Sequence, residues 1–158
     1  MDRADPGSFR DPASRVVLGD STATRILDER GLADWRALKE TGFFRRATAD
    51  GRLIATTEVD PPEGAAGALE HPRLGVITYP FEWTFSMLRD AALLQLDLML
   101  EALAEGLILK DATPYNIQFV GGRPQFIDVG SFEKYRKGEP WIGYRQFCRQ
   151  FLHPLLME

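Results

Sequence analysis

The chain has 158 residues, of which 44% are hydrophobic and 27% are charged. This balance is typical of a globular protein and excludes a disordered one, and the length fits one ordinary domain or two small lobes. The net charge of −4, with only four lysines in the chain, argues against a surface that follows nucleic-acid phosphates.

Cysteine content and hydropathy indicate the cellular compartment in which the protein is expected. Cys148 is the only cysteine, so no intrachain disulfide can form, and no run approaches the roughly 18 apolar residues that a membrane helix needs. The first residues lack the apolar core of a signal peptide. We therefore expect a cytoplasmic protein with neither a nucleic-acid nor a membrane partner.

The N-terminal region begins with an arm. Residues 1–14 are rich in Pro, Asp, Ser and Gly, which predicts a flexible arm. "RVVL" and "TATRIL" flank "GDS", a pattern that indicates two short strands around a turn. A helix is predicted over "GLADWRALKETG", where Leu32, Trp35 and Leu38 recur at helical spacing and Gly42 marks the C-terminal stop.

A β-rich region is expected to continue to residue 78. Asp50-Gly51 lies between two strand-like runs in 43–59, which predicts a β-hairpin. The prolines and glycines of residues 61–73 indicate a surface linker, and residues 73–81 are predicted to resume as a strand. Residues 15–78 would then form a small antiparallel-sheet lobe.

The longest periodic segment predicts a helix over residues 86–105, with Ser86 as N-cap and Gly106 as terminator. Apolar residues occupy two nearly opposite sides of this helix, so we expect it to be mostly buried. Solvent would be left with a narrow acidic stripe, made of Asp90, Asp97, Glu101 and Glu105.

A second amphipathic helix is predicted near the C-terminal end. Apolar residues recur at spacings of three and four from Trp141 to Leu155, and Pro154 should disturb the last turn. Its apolar face needs a cover, so we expect the helix over residues 140–155 to contact missing C-terminal residues of a longer parent chain or a second subunit.

Oxygen-bearing side chains gather around one predicted hairpin. Asn116 and Asp128 flank a turn at Gly121-Gly122, and with Arg123 counted in the turn, position 116 lies across the ladder from position 128. Amide and carboxylate oxygens are ligands for Mg²⁺, which takes one or two from protein and the rest from phosphates and water. The pair therefore predicts a magnesium site.

Asp111 precedes Asn116 by five residues, and Pro114 prevents a regular helix between them. A carboxylate on such a loop can orient or deprotonate an attacking hydroxyl while a metal neutralises the transferred phosphoryl group. Two alternatives stay open. Asp111 can cap backbone N–H groups, and Asn116 with Asp128 can be an Asx-capped hairpin end in a plain α+β domain, in which Asp111 and Asp128 lie far apart.

The segment from Gly106 to Asn116, the following hairpin and "DVG" from Asp128 resemble the catalytic loop and metal-binding segment of protein-kinase-like phosphotransferases, including the aminoglycoside and choline kinase branch. More narrowly, "LKDATPYNIQF" and "FIDVGSFE" resemble a kinase-like region of bacterial nodulation-type proteins that carry a class I S-adenosylmethionine-dependent methyltransferase domain further on. The resemblance covers residues 79–156, about half of the chain.

The resemblance implies an α+β, bilobal fold: the small sheet lobe, then an incomplete helical lobe over residues 79–158. It makes Asp111 the catalytic base and Asn116 and Asp128 the metal ligands. It also implies Mg²⁺ and ATP as cofactors, and phosphoryl transfer to an unknown small-molecule or protein acceptor.

The chain departs from the kinase pattern in the residues that would bind nucleotide phosphates. It has no G-x-G-x-x-G loop and no strand lysine of the expected kind, so Arg25 and Lys110 are the candidates for binding nucleotide phosphate. A second hypothesis follows from the same absence: a catalytically inactive kinase-like domain that binds or regulates within a methyltransferase protein.

Overall fold

The fold is α+β, and the computed structural model describes residues 3–4 and 14–157. The strands are β1 (Arg3–Ala4), β2 (Ser14–Leu18), β3 (Thr22–Leu27), β4 (Thr57–Val59), β5 (Gly67–Pro72), β6 (Leu107–Leu109), β7 (Ile117–Val120), β8 (Arg123–Phe126) and β9 (Phe132–Lys134). The helices are α1 (Glu29–Lys39), α2 (Gly42–Ala49), α3 (Phe85–Ala104), α4 (Tyr144–Phe147) and α5 (His153–Met157), with a π-helical segment, Cys148–Leu152, between the last two.

The first half of the chain forms a five-stranded antiparallel sheet in the order β1-β2-β3-β5-β4. The predicted strand pair around "GDS" is confirmed, because β2 and β3 pair with Leu18 opposite Ala23. Of the predicted arm over 1–14, residues 1–2 and 5–13 lie outside the described residues, while Arg3–Ala4 forms β1 and Ser14 begins β2.

The predicted hairpin over 43–59 is wrong, because its first half is α2 and β4, in its second half, pairs with β5. Thr41 caps this helix by accepting a hydrogen bond from the Phe44 N–H at 3.1 Å, and Phe43 and Phe44 are buried against the core. Gly42 therefore starts a helix instead of ending one. Gly51, with φ of 79°, follows the helix end, where a left-handed glycine is common.

The predicted surface linker over 61–73 is also wrong, because β5 occupies its second half between β3 and β4. Gly67 lies so close to α1 that a Cβ there would be 2.9 Å from a methyl carbon of Leu32. The predicted strand over 73–81 is absent as well. The segment has an irregular backbone, and the Gln118 side chain fixes it by accepting from the Thr78 N–H at 2.8 Å and donating to the Thr78 carbonyl at 3.0 Å.

The long helix is confirmed as α3, although Thr84 and not Ser86 is its N-cap. Two residues of the predicted acidic stripe do more than face solvent, because Glu101 is ion-paired with Arg52 and Glu105 is ion-paired with Arg46. The outward side also carries two leucines that are more than half exposed, Leu93 and Leu100. The helix is therefore less buried than its composition predicts.

The C-terminal helix is confirmed in substance, but Trp141 precedes it and its middle is π-helical. The His153 N–H bonds to the carbonyl of Cys148, five residues back. Pro154, which follows, has no N–H to continue the α-helical ladder, so the wide turn lies where the regular pattern must fail. Within the described part of the chain, no helix combines the length and apolarity needed to cross a bilayer.

The second half of the chain places two short antiparallel pairs beside α3. β6 pairs with β9 and β7 pairs with β8. Buried side chains of the sheet, α1, α2, α3 and the pair β6–β9 form one core. Asp128, which follows β8, contacts Arg25 of β3, so the second half of the chain meets the sheet at this point.

Candidate functional site

The β7–β8 hairpin is confirmed, with a shorter turn than predicted. Gly121 and Gly122 have φ of 58° and 81°, and Val120 is paired directly with Arg123. Both central residues of a type I′ turn need positive φ, so the two glycines make a two-residue turn and Arg123 belongs to the strand. The ladder is consequently shifted by one position from the predicted register.

Asn116 therefore faces Ile127 and not Asp128. The Ile127 N–H donates to the Asn116 carbonyl at 2.8 Å. The predicted direct pairing of Asn116 with Asp128 is wrong, because a shift of one residue turns each side chain to the other face of a ladder.

A buried serine nevertheless joins the two predicted ligands. Ser131 donates its hydroxyl proton to Asp128 Oδ2 at 2.6 Å, and Asn116 Nδ2 donates to Ser131 Oγ at 3.2 Å. Ser131 is 1% exposed and lies in the single 3₁₀ turn that follows Asp128. The three side chains thus form one chain of hydrogen bonds.

The second carboxylate oxygen of Asp128, Oδ1, contacts a residue of the sheet. Arg25 Nη2 on β3 lies 2.7 Å from Asp128 Oδ1, with only 12% and 20% of the two side chains exposed. Asp128 Oδ1 receives no well-aligned hydrogen bond, so the contact is an ion pair. A Cβ on Gly130 would lie 3.1 Å from Arg25 Nη1 and 3.3 Å from Asp128 Oδ1, so glycine keeps room for this approach.

His71 lies on the same face of the sheet as Arg25, because its partner in the β3–β5 ladder is Ala23, which lies two residues before Arg25 on β3. Thr56 Oγ1 lies 3.1 Å from His71 Nδ1 and 3.1 Å from the Ile54 carbonyl oxygen, so this hydroxyl links the imidazole to the backbone. Burial, and then the charge of Arg25, lowers the pKa of His71 to about 4, while the Ala55 carbonyl and Asp128 act in the opposite direction. The imidazole is therefore neutral near pH 7.

The loop over residues 109–113, hereafter the Asp111 loop, lies beside the Asp128 turn. The Lys110 N–H donates to the Ser131 carbonyl at 2.9 Å, which continues the β6–β9 pairing by one residue. Asp111 is partly exposed, and within residues 14–157 its carboxylate has no hydrogen-bond or ion-pair partner.

Lys110, predicted to contact phosphate, has its ammonium 3.6 Å from Asp34 Oδ2 on α1. Burial raises the pKa of Asp34, and Lys110 opposes that rise. The structure thus directs this lysine toward α1, whereas the other predicted phosphate-binding residue, Arg25, is directed toward Asp128.

The predicted site residues fall into one connected region. Arg25 contacts Asp128, Ser131 joins Asp128 to Asn116, and the backbone of Lys110 links the Asp111 loop to the same turn. Among the described residues, no three His, Cys, Asp or Glu side chains gather as a metal cluster. The sequence gives no direct signal for Ser131 or His71, although "DVGS" places a hydroxyl three residues after Asp128.

Comparison with known proteins gives one informative similarity. No protein-family model matches the chain. In an alignment of 157 positions that covers 96% of the chain, the sequence is 41% identical to the nodulation protein NoeA of Rhizobium meliloti (strain 1021). The chain spans about a third of that relative's length. It is therefore similar to one portion of a longer protein.

Proposed function

We propose that the chain is a kinase-like module that binds a magnesium–nucleotide complex between β3 and the Asp128 turn and transfers a phosphoryl group to an unknown acceptor. The observation that carries this proposal is the contact of Arg25 with Asp128 at 2.7 Å. A cation from the sheet and a carboxylate from the loop are the two charges that a phosphate and its metal ion require.

The architecture supports a bilobal, kinase-like arrangement. A small antiparallel sheet precedes the long helix α3, which leads through β6 into the Asp111 loop and then the β7–β8 hairpin. The resemblance in sequence implies this order of elements. Arg25 then takes the place of the missing strand lysine, and its guanidinium can bind phosphate through two N–H groups.

The side chains at the Asp128 turn fit a magnesium ion chemically. Because Asn116 donates to Ser131 through Nδ2, its side-chain oxygen Oδ1 remains available as a ligand. Asp128 supplies carboxylate oxygens with lone pairs beyond those that Arg25 and Ser131 use. One amide and one carboxylate suit an ion whose other ligands are phosphate oxygens and water.

In this proposal Asp111 is the base, because its carboxylate is partly exposed and has no partner within residues 14–157. It can accept a proton from an acceptor hydroxyl as the phosphoryl group departs from the nucleotide. Arg25 and the magnesium ligands hold the phosphates, so each residue meets a different part of the reactants.

The experiment is a calorimetric titration with ATP, with and without Mg²⁺, of the wild-type chain and the Asp128→Ala variant. We expect magnesium-dependent binding that the variant loses, and Asp97→Ala, which removes an exposed carboxylate of α3, serves as the matched control. Phosphoryl transfer is then measured as ADP release with candidate small-molecule and protein acceptors. Binding that is absent at every ATP concentration would overturn the proposal.

The second candidate is a catalytically inactive kinase-like domain that binds or regulates within a longer protein, such as the methyltransferase proteins of the sequence resemblance. The absence from the sequence of a G-x-G-x-x-G loop and of a phosphate-binding strand lysine favours this candidate. It predicts no magnesium-dependent ATP binding in the same titration. The two candidates therefore give opposite results.

A further inference from the structure

Three side chains hold the backbone of the Asp111 loop. Trp141 Nε1 donates to the Leu109 carbonyl at 2.7 Å, and Gln95 Nε2 on α3 donates to the Asp111 carbonyl at 3.2 Å. The Ala112 N–H donates to Gln146 Oε1 on α4 at 2.9 Å. The loop is thus fixed from α3 on one side and from the start of the C-terminal helix on the other.

The position of Gln95 points to a function beyond stability. Gln95 is 0% exposed in the middle of a helix face that is otherwise apolar, and its Oε1 has no partner. A buried carbonyl oxygen that receives no hydrogen bond lowers the stability of the fold. An apolar residue of similar size would avoid this cost, but it could not donate to the Asp111 carbonyl.

The segment before α4 approaches the loop more closely than most side chains would allow. A Cβ on Gly143 would lie 3.0 Å from the Ala112 Cβ and 2.7 Å from Trp141 Nε1. Glycine at this position therefore permits the contact and leaves the Trp141 indole free to reach Leu109. Gly143 itself is buried.

The backbone of the loop is held at three points, whereas the Asp111 carboxylate has no partner within residues 14–157. A group that must meet a reacting atom loses rate when it is misplaced by about 1 Å, so a fixed backbone beside a partly exposed carboxylate suits such a group. We propose that Gln95, Trp141 and Gln146 are positioning residues that present the Asp111 carboxylate to the acceptor. This inference rests on the proposed function.

The test compares three variants with the wild type. Gln146→Leu removes the acceptor for the Ala112 N–H, Gln146→Glu keeps an acceptor oxygen there, and Gln95→Leu removes both the donor and the unsatisfied oxygen. Gln150→Leu is the matched control, since Gln150 lies one turn further on the same helix and its Oε1 has no partner.

Two readouts separate positioning from stability. Turnover with Mg-ATP should fall about 10- to 100-fold in Gln146→Leu and Gln95→Leu, with KM for ATP within about twofold, while Gln146→Glu recovers most of the rate. Gln95→Leu should lower turnover without lowering the stability of the fold. Amide hydrogen exchange at Ala112 should be at least about tenfold faster in Gln146→Leu than in Gln146→Glu or Gln150→Leu.

Failure of this inference differs from failure of the proposed function. Wild-type turnover that Gln146→Leu and Gln95→Leu leave unchanged would overturn the positioning role and keep the phosphotransferase. If the wild type shows no turnover, the proposed function fails, and Ala112 exchange unchanged in Gln146→Leu would show that the loop is not held by these contacts.

Discussion

The two aspartates of the candidate site are held in opposite ways. Asp128 has its carboxylate engaged on both oxygens, by Arg25 and Ser131, while the Asp111 loop is fixed through its backbone and leaves its carboxylate without a partner within residues 14–157. A carboxylate that is already paired keeps its charge balanced until a cationic ligand arrives. One that is unpaired can accept a proton, so the contrast matches a metal ligand and a base.

The largest effect should come from breaking the Arg25–Asp128 pair. Arg25→Met leaves the mostly buried Asp128 carboxylate without this cation, so we expect it to lower the free energy of unfolding by about 3–4 kcal/mol, and Asp128→Leu, which removes the same contact, should also destabilise the fold. The double variant should lose much less than the sum of the two. Urea denaturation of the three variants measures this coupling.

The exposed pair Arg89–Asp90 is the control for that cycle. Its coupling should be no more than about 1 kcal/mol, because water screens both charges. A coupling at Arg25–Asp128 as small as that of the control would show that the two side chains do not meet in solution.

The next effect is a pH dependence on the Asp128 side of the site. His71 has a folded-state pKa of about 4 against an ordinary value of 6.5, so the unfolded chain binds a proton that the folded chain refuses. Its contribution to stability is complete above pH 6.5 and is lost as pH falls toward about 4, a change of about 3 kcal/mol.

Unfolding free energies of the wild type and His71→Gln at pH 7 and pH 4.5 measure this contribution. The difference between the two proteins should shrink by about 2–3 kcal/mol at the lower pH. His153→Gln, which replaces an exposed histidine, is the matched control variant. A difference that stays constant with pH would mean that His71 is not buried in its neutral form.

A smaller effect is expected from Gly130→Ala. The added methyl group would press on Arg25 Nη1 and Asp128 Oδ1, so we expect a loss of about 1–2 kcal/mol. Gly75→Ala is the control, since a Cβ there meets nothing within 4 Å. Thermal unfolding of both variants checks this, and equal melting temperatures would contradict the close approach of Arg25 to the turn.

The smallest effect on stability should come from Asp111→Asn, within about 0.5 kcal/mol of the wild type, because the replaced carboxylate has no partner within residues 14–157. Turnover, by contrast, should fall by at least about 100-fold. Urea denaturation and an ADP-release assay on one preparation measure both. A marked loss of stability would show that the carboxylate is used inside the fold.

Local signals predicted the second half of the chain better than the first. The α3 helix and the Gly121-Gly122 hairpin follow from periodicity and turn chemistry, which act over a few residues. In the first half, β5 lies between two other strands, and its first residue, Gly67, packs so closely against Leu32 of α1 that a local sequence pattern could not reveal it. Asp50-Gly51 signals a hairpin turn and a helix end equally, and Phe43 and Phe44 decide for the helix.

The site was predictable in its residue types but not in its pairing. Spacing and resemblance selected Asp111, Asn116 and Asp128, yet the direct Asn116–Asp128 pairing failed because the turn is one residue shorter. Arg25 was selected for its charge alone, and only the fold shows that β3 brings it to Asp128. The helical period places Gln95 on a face of α3 but does not show which group it contacts, so its bond to the Asp111 carbonyl could not be predicted.

The most direct measurement is a titration of Arg25→Gln and Asp111→Asn with ATP in the presence of Mg²⁺, side by side with the wild type. Arg25→Gln should weaken binding by at least about tenfold because the phosphates lose their cation, whereas Asp111→Asn should bind within about twofold of the wild type. Equal affinities for the two variants, or no binding by the wild type, would contradict the division of roles between the Asp128 turn and the Asp111 loop.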